Sequence, residues 1–232
     1  VDSLNEWQAE LQTLTNASSI DSLELELQGK LATYEELVTI ITKVRTQYAQ
    51  KLGNKVSEYL LQLAINGKFV VDLQRLDAPS SYGLEDIEYQ VQFNKGMQLQ
   101  PLAKAASGGE LSRTALALYL LLSMHNPPEI IIFDEIDVGI GGAVAAVVGK
   151  MLYQLGKVKQ VICITHQPQT ASFGNWHLVV SKHDKHAITT AEVSYVDDKQ
   201  RIDEIARMLG GLKITPTTLS HAVEMLTHAQ DT

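Results

Sequence analysis

Residues 105–113, AASGGELSR, and residues 130–135, IIIFDE, are the two stretches that decide the fold. In the first stretch, two glycines precede apolar residues that recur at helical spacing, which predicts a glycine turn opening a helix: Leu111, Ala115, Leu118 and Leu122. The start of such a helix leaves backbone N–H groups free around a small concavity. A concavity of this kind is a site for anions, most often phosphate.

The second stretch is an apolar run that ends in two carboxylates. It is too short for a helix and predicts a buried parallel strand, with Asp134 and Glu135 at its carboxyl end. Carboxylate oxygens in this position suit a hard cation. Alone, the turn is more often a simple helix N-cap, and the acidic pair a solvated strand end. Joined by one helix and in this order, they indicate nucleotide chemistry.

A third stretch supports this interpretation. Residues 161–168, VICITHQP, predict another short apolar strand, which ends in His166 instead of a carboxylate. A helix is predicted between the two strands, from residue 143 to residue 155. Strand, helix and strand then form a right-handed crossover in a parallel sheet, and the polar groups at the carboxyl ends fall on one edge.

Together these motifs resemble the carboxyl-terminal lobe of an ABC-type ATPase head, and most closely the RecN family of bacterial SMC-like proteins of double-strand-break repair. The stretches that carry the resemblance are PLAK at 101–104, SGGE at 107–110, FDEIDVGIGG at 133–142, CITHQPQ at 163–169 and ARMLGG at 206–211. They cover roughly residues 20 to 230. The resemblance implies an α/β fold, the carboxyl-terminal lobe of a P-loop NTPase head of ABC/SMC type with a parallel sheet flanked by helices.

The resemblance also implies a role for each motif residue in Mg²⁺-dependent ATP hydrolysis. Asp134 would hold Mg²⁺ through a coordinated water, Glu135 would deprotonate the attacking water, and His166 would sense the γ-phosphate. Four signature residues would contact the ATP bound on a second head, so that ATP joins a homodimer: Ser107, Gly108, Gly109 and Glu110. Asp137 would lie at that dimer interface. For Arg113, two roles remain open: positive charge near the phosphate, or an ion pair with a surface acid.

One motif of such a head is missing from the chain. The sequence contains no GxxxxGK[ST] loop, and it begins at Val1 without an initiator methionine. We therefore expect the returning half of a split head, whose amino-terminal lobe carries the Walker A loop. The complete head is expected to hydrolyse ATP, and this chain alone to be inactive.

Composition bounds the other partners. No apolar run approaches the roughly twenty residues that a membrane span needs, so no membrane partner is expected. The net charge of -8 disfavours DNA binding by this piece alone, so DNA contact is expected through the complete protein. Because Cys163 is the single cysteine, no intrachain disulfide can form, and we expect a buried structural residue. The lack of a disulfide fits the reducing cytoplasm, and we expect a cytoplasmic, nucleoid-associated protein.

We predict a coiled-coil or helical arm at residues 1–64 and the carboxyl-terminal lobe at 65–232. Apolar residues three and four apart indicate the arm, for which a pair of helices packed on the head is the alternative. The other elements predicted for the lobe are strands at 69–73 and 87–93, a helix at 110–124, a hairpin at 175–195, and helices at 198–209 and 216–229. Alternative functions are another SMC-like repair or chromosome ATPase, a catalytically silent assembly module, and a transporter ATPase subunit.

Overall fold

The computed structural model describes residues 2–16, 20–104, 107–122, 128–185, 188–211 and 213–230. The chain forms two compact units, one built from residues 1–50 and 72–88, the other from residues 51–71 and 89–232. The predicted boundary between residues 64 and 65 divides the chain by sequence, whereas these units interleave along it. That boundary stays a prediction.

The first unit consists of helix α1 (Asp2–Asn16), the first part of helix α2 (Ile20–Gln62), and residues 72–88, which are the distal part of a hairpin. At 43 residues, α2 is about 65 Å long. The hairpin side of α2 buries Val38. Much of the rest of its apolar surface is exposed: Leu27, Leu31, Leu37, Ile41, Val44 and Tyr48.

Arg45, which interrupts the apolar spacing of α2, holds the hairpin tip within this unit. Its Nη1 donates to Glu85 Oε2 at 2.9 Å, and its Nη2 donates to the carbonyl of Tyr82 at 2.7 Å. The Glu85 carboxylate also accepts a hydrogen bond from the hydroxyl of Thr42. The departure from the apolar pattern is therefore explained by a contact between helix and hairpin.

The second unit contains the predicted crossover. Strands β4 (Ile130–Phe133) and β5 (Gln160–Cys163) are parallel, and helix α4 (Gly142–Gly156) joins them. One face of the pair packs Ile131 and Phe133 into the main core. The prediction of a fully buried strand is wrong for the other face, where four isoleucines are 43–63% exposed: Ile130, Ile132, Ile162 and Ile164. Within the described residues, no second layer covers this face.

Helix α3 (Gly108–Leu122) packs beside the crossover. It begins two residues earlier than predicted, so that both glycines belong to its first turn. Its predicted end, near residue 124, lies outside the described residues. Tyr119 of α3 meets Phe133 of β4 edge to face, with ring centroids 6.3 Å apart, and this contact helps to fix the helix against the sheet.

The remaining strands and helices complete the two units. Strands β1 (Lys68–Ser80), β2 (Gly83–Gln92) and β3 (Gln100–Pro101) form one sheet, and a 3-10 turn (Leu102–Lys104) follows it. Helix α5 (Pro168–Ala171) follows β5. Strands β6 (Leu178–Lys185) and β7 (Ile188–Tyr195) form the predicted hairpin, and helices α6 (Asp198–Gly210) and α7 (Pro216–Gln230) follow it.

The main core lies in the second unit. It joins the end of α2 and the bases of β1 and β2 to α3, β4 and α4 through fully buried side chains that include Val56, Leu60, Phe69, Val91, Leu116, Ile136, Val148 and Leu155. A smaller cluster fixes α6 to α7 through Ile205, Ala206 and Ala222. Among the described residues, no helix has both the length and the hydropathy needed to cross a bilayer.

Candidate functional site

The carboxyl ends of β4 and β5 bring the predicted site residues to one edge of the parallel pair. Asp134 and Glu135 directly follow β4, and His166 follows β5 by three residues. The two strands stay paired beyond their assigned ends, because the N–H of Ile164 donates to the carbonyl of Phe133 at 2.9 Å. The prediction that the polar groups after β4 and β5 share one edge of the sheet is confirmed.

The signature residues form the start of α3. The carbonyl of Ser107 accepts the first bond of the helix, from the N–H of Leu111 at 3.0 Å, so Ser107 is the N-cap residue. The N–H groups of the following glycines then have no acceptor within the helix. Ser107 and Gly108 are exposed. The start of the helix therefore offers the free donors and positive dipole end that an anion needs.

Both glycines lie at a close approach between α3 and the segment after β4. A Cβ on Gly108 would lie 2.7 Å from Oε2 of Glu135. A Cβ on Gly109 would lie 3.1 Å from the carbonyl oxygen of Glu135. Neither glycine has a positive φ, so space explains them better than backbone conformation. The signature turn and the acidic pair are thus in direct contact within one chain.

The acidic pair has an unusual backbone. Glu135 has a φ of 57°, in the left-handed region that non-glycine residues rarely adopt. Its N–H donates to Oδ1 of Asp134 at 2.9 Å, and this bond supports the conformation. Oδ2 of Asp134 accepts no hydrogen bond from the described residues, and both carboxylates are exposed. Strained backbone of this kind is concentrated at functional sites.

Asp137 faces its own chain. Its side chain is 1% exposed, and Oδ2 accepts a hydrogen bond from the hydroxyl of Thr165. Oδ1 is buried without a hydrogen-bond partner among the described residues, and Nδ1 of His166 lies 3.8 Å away. The His166 side chain is itself 67% exposed. The interface role of Asp137 stays a prediction, and the contacts described for its carboxylate are with Thr165 and His166, shortly after β5.

Arg113 has a role that the sequence did not indicate. It is 6% exposed, and its Nη1 donates to the carbonyls of Ile136 and Val138 at 3.1 and 3.2 Å. Burial lowers the pKa of the guanidinium, and the negative charges of Glu110 and Asp137 oppose that shift. An arginine remains charged under such conditions. This burial and these carbonyl partners do not fit an ion pair with a surface acid, whereas positive charge near the phosphate stays a prediction for Arg113.

Two further contacts were missed from the sequence. The hydroxyl of Ser112 donates to the carbonyl of Asp134 at 2.9 Å, which joins α3 to the segment after β4 a second time. Thr165 holds the Asp137 carboxylate, as described above. A hydroxyl residue directly before His166 was the only available signal for that contact.

A metal ion at this edge of the sheet would have few protein ligands. Among the residues that the structure describes, no group of three or more His, Cys, Asp or Glu side chains could hold one. Mg²⁺ is usually held by one or two carboxylates together with waters and phosphate oxygens. Asp134 fits that requirement, because its carboxylate is exposed and its Oδ2 accepts no hydrogen bond from the described residues. Cys163 does not take part, because burial raises the pKa of its thiol to about 12.

The chain is similar in sequence to several bacterial repair proteins. It is 39% identical over 225 residues to the DNA repair protein RecN of Vibrio cholerae, an alignment that covers 94% of this chain and 41% of that protein. It is 40% identical over 223 residues to RecN of Haemophilus influenzae, with 94% and 40% covered. The chain thus spans about two fifths of the length of these curated relatives. No family model matches the chain.

Solved structures show the same fold. An Smc head domain with a coiled coil and joint from Pyrococcus yayanosii matches with a TM-score of 0.54 at 19% identity, over 99% of this chain and 39% of that one. An Smc head domain with an extended coiled coil from Pyrococcus furiosus, bound to the carboxyl-terminal domain of ScpA, matches with a TM-score of 0.52 at 22% identity. It covers 85% of this chain and 48% of that chain. The predicted fold, part of a P-loop NTPase head of ABC/SMC type with a coiled-coil segment, is confirmed.

Proposed function

Because this chain is a relative of the DNA repair protein RecN, we propose that it forms the carboxyl-terminal lobe of an ATP-hydrolysing head in DNA double-strand-break repair and recombination. The observation that carries the proposal is the cluster at the carboxyl ends of β4 and β5. There the start of α3 contacts Glu135, and His166 lies beside Asp137. This arrangement joins an anion-binding helix start, a candidate base and a candidate phosphate sensor.

Each side chain of the cluster has a distinct task in the proposed reaction. Bound Mg²⁺-ATP supplies the γ-phosphoryl group and the cation that neutralises its charge. Asp134 would hold the cation, through a coordinated water. Glu135 accepts a proton from the attacking water, for which its exposed carboxylate is suited. His166 donates a hydrogen bond toward the γ-phosphate, and its Nδ1 side faces the Asp137 carboxylate.

The signature residues act on the nucleotide of a second head. Ser107 and Gly108 are exposed at the start of α3, while Gly109 is buried against the segment after β4. Ser107 and Gly108 are therefore the signature residues that a second head could reach from outside this chain. In this proposal, ATP held by one head is closed over by Ser107, Gly108, Gly109 and Glu110 of the other, so ATP joins two heads and hydrolysis releases them.

The same polypeptide supplies the rest of each head. The chain has no Walker A motif, and it spans about two fifths of its curated relatives. The four exposed isoleucines in and directly after β4 and β5 form an apolar face of the kind that a packed domain covers. We place the amino-terminal lobe, which carries the Walker A loop, on this face.

DNA engagement belongs to the complete protein. Duplex binding by phosphate neutralisation needs clustered lysines and arginines, and this chain carries a net charge of -8. We therefore assign DNA contact to other segments or to the joined dimer. Action on chromosomal breaks also implies a cytoplasmic, nucleoid-associated protein.

The proposal is tested by Mg²⁺-dependent ATP turnover. The chain would be assayed alone and after addition of the amino-terminal lobe, each with and without Glu135→Gln, and ATP binding would be measured in parallel. We expect no turnover by the chain alone, turnover with both lobes, and loss of turnover but not of binding in the variant. If the complete head bound ATP without ever hydrolysing it, a catalytically silent assembly module would replace this proposal.

A further inference from the structure

Three backbone carbonyls of the segment after β4 are held by two neighbouring residues of α3. Ser112 donates to the carbonyl of Asp134 at 2.9 Å. Arg113 donates to the carbonyls of Ile136 and Val138 at 3.1 and 3.2 Å. These are alternate carbonyls of one turn, which is also closed by a bond from the N–H of Val138 to the carbonyl of Glu135 at 3.2 Å.

The burial of Arg113 makes this contact costly to lose. A guanidinium with 6% exposure has been removed from water, and hydrogen bonds must compensate for that removal. Its Nε already lacks a partner among the described residues, so Nη1 is the group that satisfies the side chain. Removing the guanidinium would leave the Ile136 and Val138 carbonyls without these donors.

The turn that Arg113 holds carries the candidate base. Glu135 has a φ of 57° and lies between the carbonyls fixed by Ser112 and Arg113. A left-handed non-glycine residue persists only where its surroundings impose that conformation. Arg113 supplies this constraint on the carboxyl side of Glu135, while Ser112 and the Asp134 carboxylate supply it on the amino side.

We infer that Arg113 is a positioning residue that couples the signature end of α3 to Glu135. Any shift of the first turns of α3, such as one caused by a phosphate bound at Ser107, is then passed to the turn that aims the Glu135 carboxylate. This inference deepens the proposed function and rests on it. It assigns to one buried arginine the link between the nucleotide of the second head and the base acting in its own head.

The test compares Arg113→Met with Arg113→Lys in the complete head. Arg207→Met is the matched control, because Arg207 is 58% exposed and pairs with Glu204 on α6, outside the site. Hydrogen exchange of residues 134–139 reports on the turn, and kcat and KM for ATP report on catalysis. Thermal unfolding verifies that each variant is folded.

We expect Arg113→Met to speed exchange in residues 134–139 by about tenfold or more. We also expect its kcat to fall by about tenfold or more while KM for ATP changes by less than about twofold. Lysine still donates hydrogen bonds, so Arg113→Lys should recover part of both losses, and Arg207→Met should match the wild type. If Arg113→Met did not fold, the lysine variant alone would decide, with intermediate exchange and kcat expected.

A second readout separates coupling from simple support of the fold. A non-hydrolysable ATP analogue that joins two heads should slow exchange of residues 134–139 in the wild type, but not in Arg113→Met heads that still associate. The inference is overturned if exchange in the turn is unchanged, or if exchange rises while kcat stays at the wild-type value. A wild-type head without turnover would instead refute the proposed function, and the exchange comparison would still decide whether Arg113 holds the turn.

Discussion

Replacing Gly108 with alanine should impair catalysis and leave the fold intact. The added Cβ would lie 2.7 Å from Oε2 of Glu135, well inside the ordinary contact distance between carbon and oxygen. The carboxylate is the flexible end of its side chain, so it can withdraw, by about 0.5–1 Å to restore van der Waals contact. A displacement of a reacting group on this scale costs up to about a hundredfold in rate.

The stability of the same variant should move little, or in the opposite direction. Gly108 is the first residue of α3, and alanine is favoured over glycine within a helix by up to about 1 kcal/mol. We therefore expect an unchanged or slightly raised Tm, together with a kcat lowered by about tenfold to a hundredfold. Thermal unfolding and steady-state ATP turnover of the complete head measure the two quantities.

Association of heads must be measured in parallel, because Gly108 also belongs to the signature. Light scattering measures the dimerisation that a non-hydrolysable ATP analogue induces. This measurement distinguishes a displaced Glu135 from a lost contact with the second head's nucleotide. The reasoning predicts retained dimerisation with a low kcat. It would be refuted by a wild-type kcat, or by a fall in Tm large enough to account for the lost activity.

Three other predictions address stability and chemistry. Gly67→Ala should destabilise the chain by about 3 kcal/mol or more, since its Cβ would lie 1.6 Å from the backbone oxygen of Gln92; chemical denaturation measures this, and a loss below about 1 kcal/mol would contradict it. The hydrogen bond from Thr42 and then the contact with Arg45 lower the pKa of Glu85. The ionised carboxylate therefore stabilises the hairpin tip fully at pH values above the pKa of an unfolded Glu, and this contribution is lost as the pH falls through the folded pKa. Exchange protection of residues 80–85 should therefore drop at acid pH in the wild type and vary little in Glu85→Gln; equal pH profiles would refute this. Burial raises the pKa of the Cys163 thiol to about 12, so a disulfide reagent at pH 8 should label the folded chain far more slowly than the unfolded chain, and equal rates would contradict the burial.

The sequence was sufficient to predict the edge on which the site lies. Residues 130–133 and 160–163 form the two expected parallel strands, and polar groups that follow parallel strands must meet at one edge. The glycines at 108 and 109 were predicted as a turn, and they instead form the first turn of α3. A pattern of single residues cannot show this, because the space beside both glycines is limited by Glu135, through its carboxylate at Gly108 and its backbone oxygen at Gly109.

The sequence could not predict which groups Arg113 and Asp137 contact. Arg113 was given two side-chain roles, whereas its partners are the carbonyls of Ile136 and Val138, which carry no residue-type signature. Asp137 was placed by resemblance at an interface, and its burial beneath Thr165 depends on how closely β4 and β5 approach. Both contacts follow from the path of the chain between α3 and β5.

The exposed isoleucines were also not predicted, for a related reason. An apolar run such as residues 130–133 predicts cover on both faces of the strand. In this chain the cover on one face comes from α3 and α4, and Ile132 on the other face is 63% exposed. The pattern reports that both faces are apolar, and it cannot report which polypeptide segment packs on each.

The most direct test of the account is complementation between two inactive heads. Heads with Glu135→Gln would lack the base, and heads with Ser107→Arg would lack a working signature, so each homodimer should be inactive. If the signature acts on the nucleotide of the opposite head, a mixed dimer keeps one intact site, and random mixing should restore about a quarter of wild-type turnover. Turnover no higher than that of the separate variants would contradict the account, because the signature and Glu135 would then serve the same nucleotide.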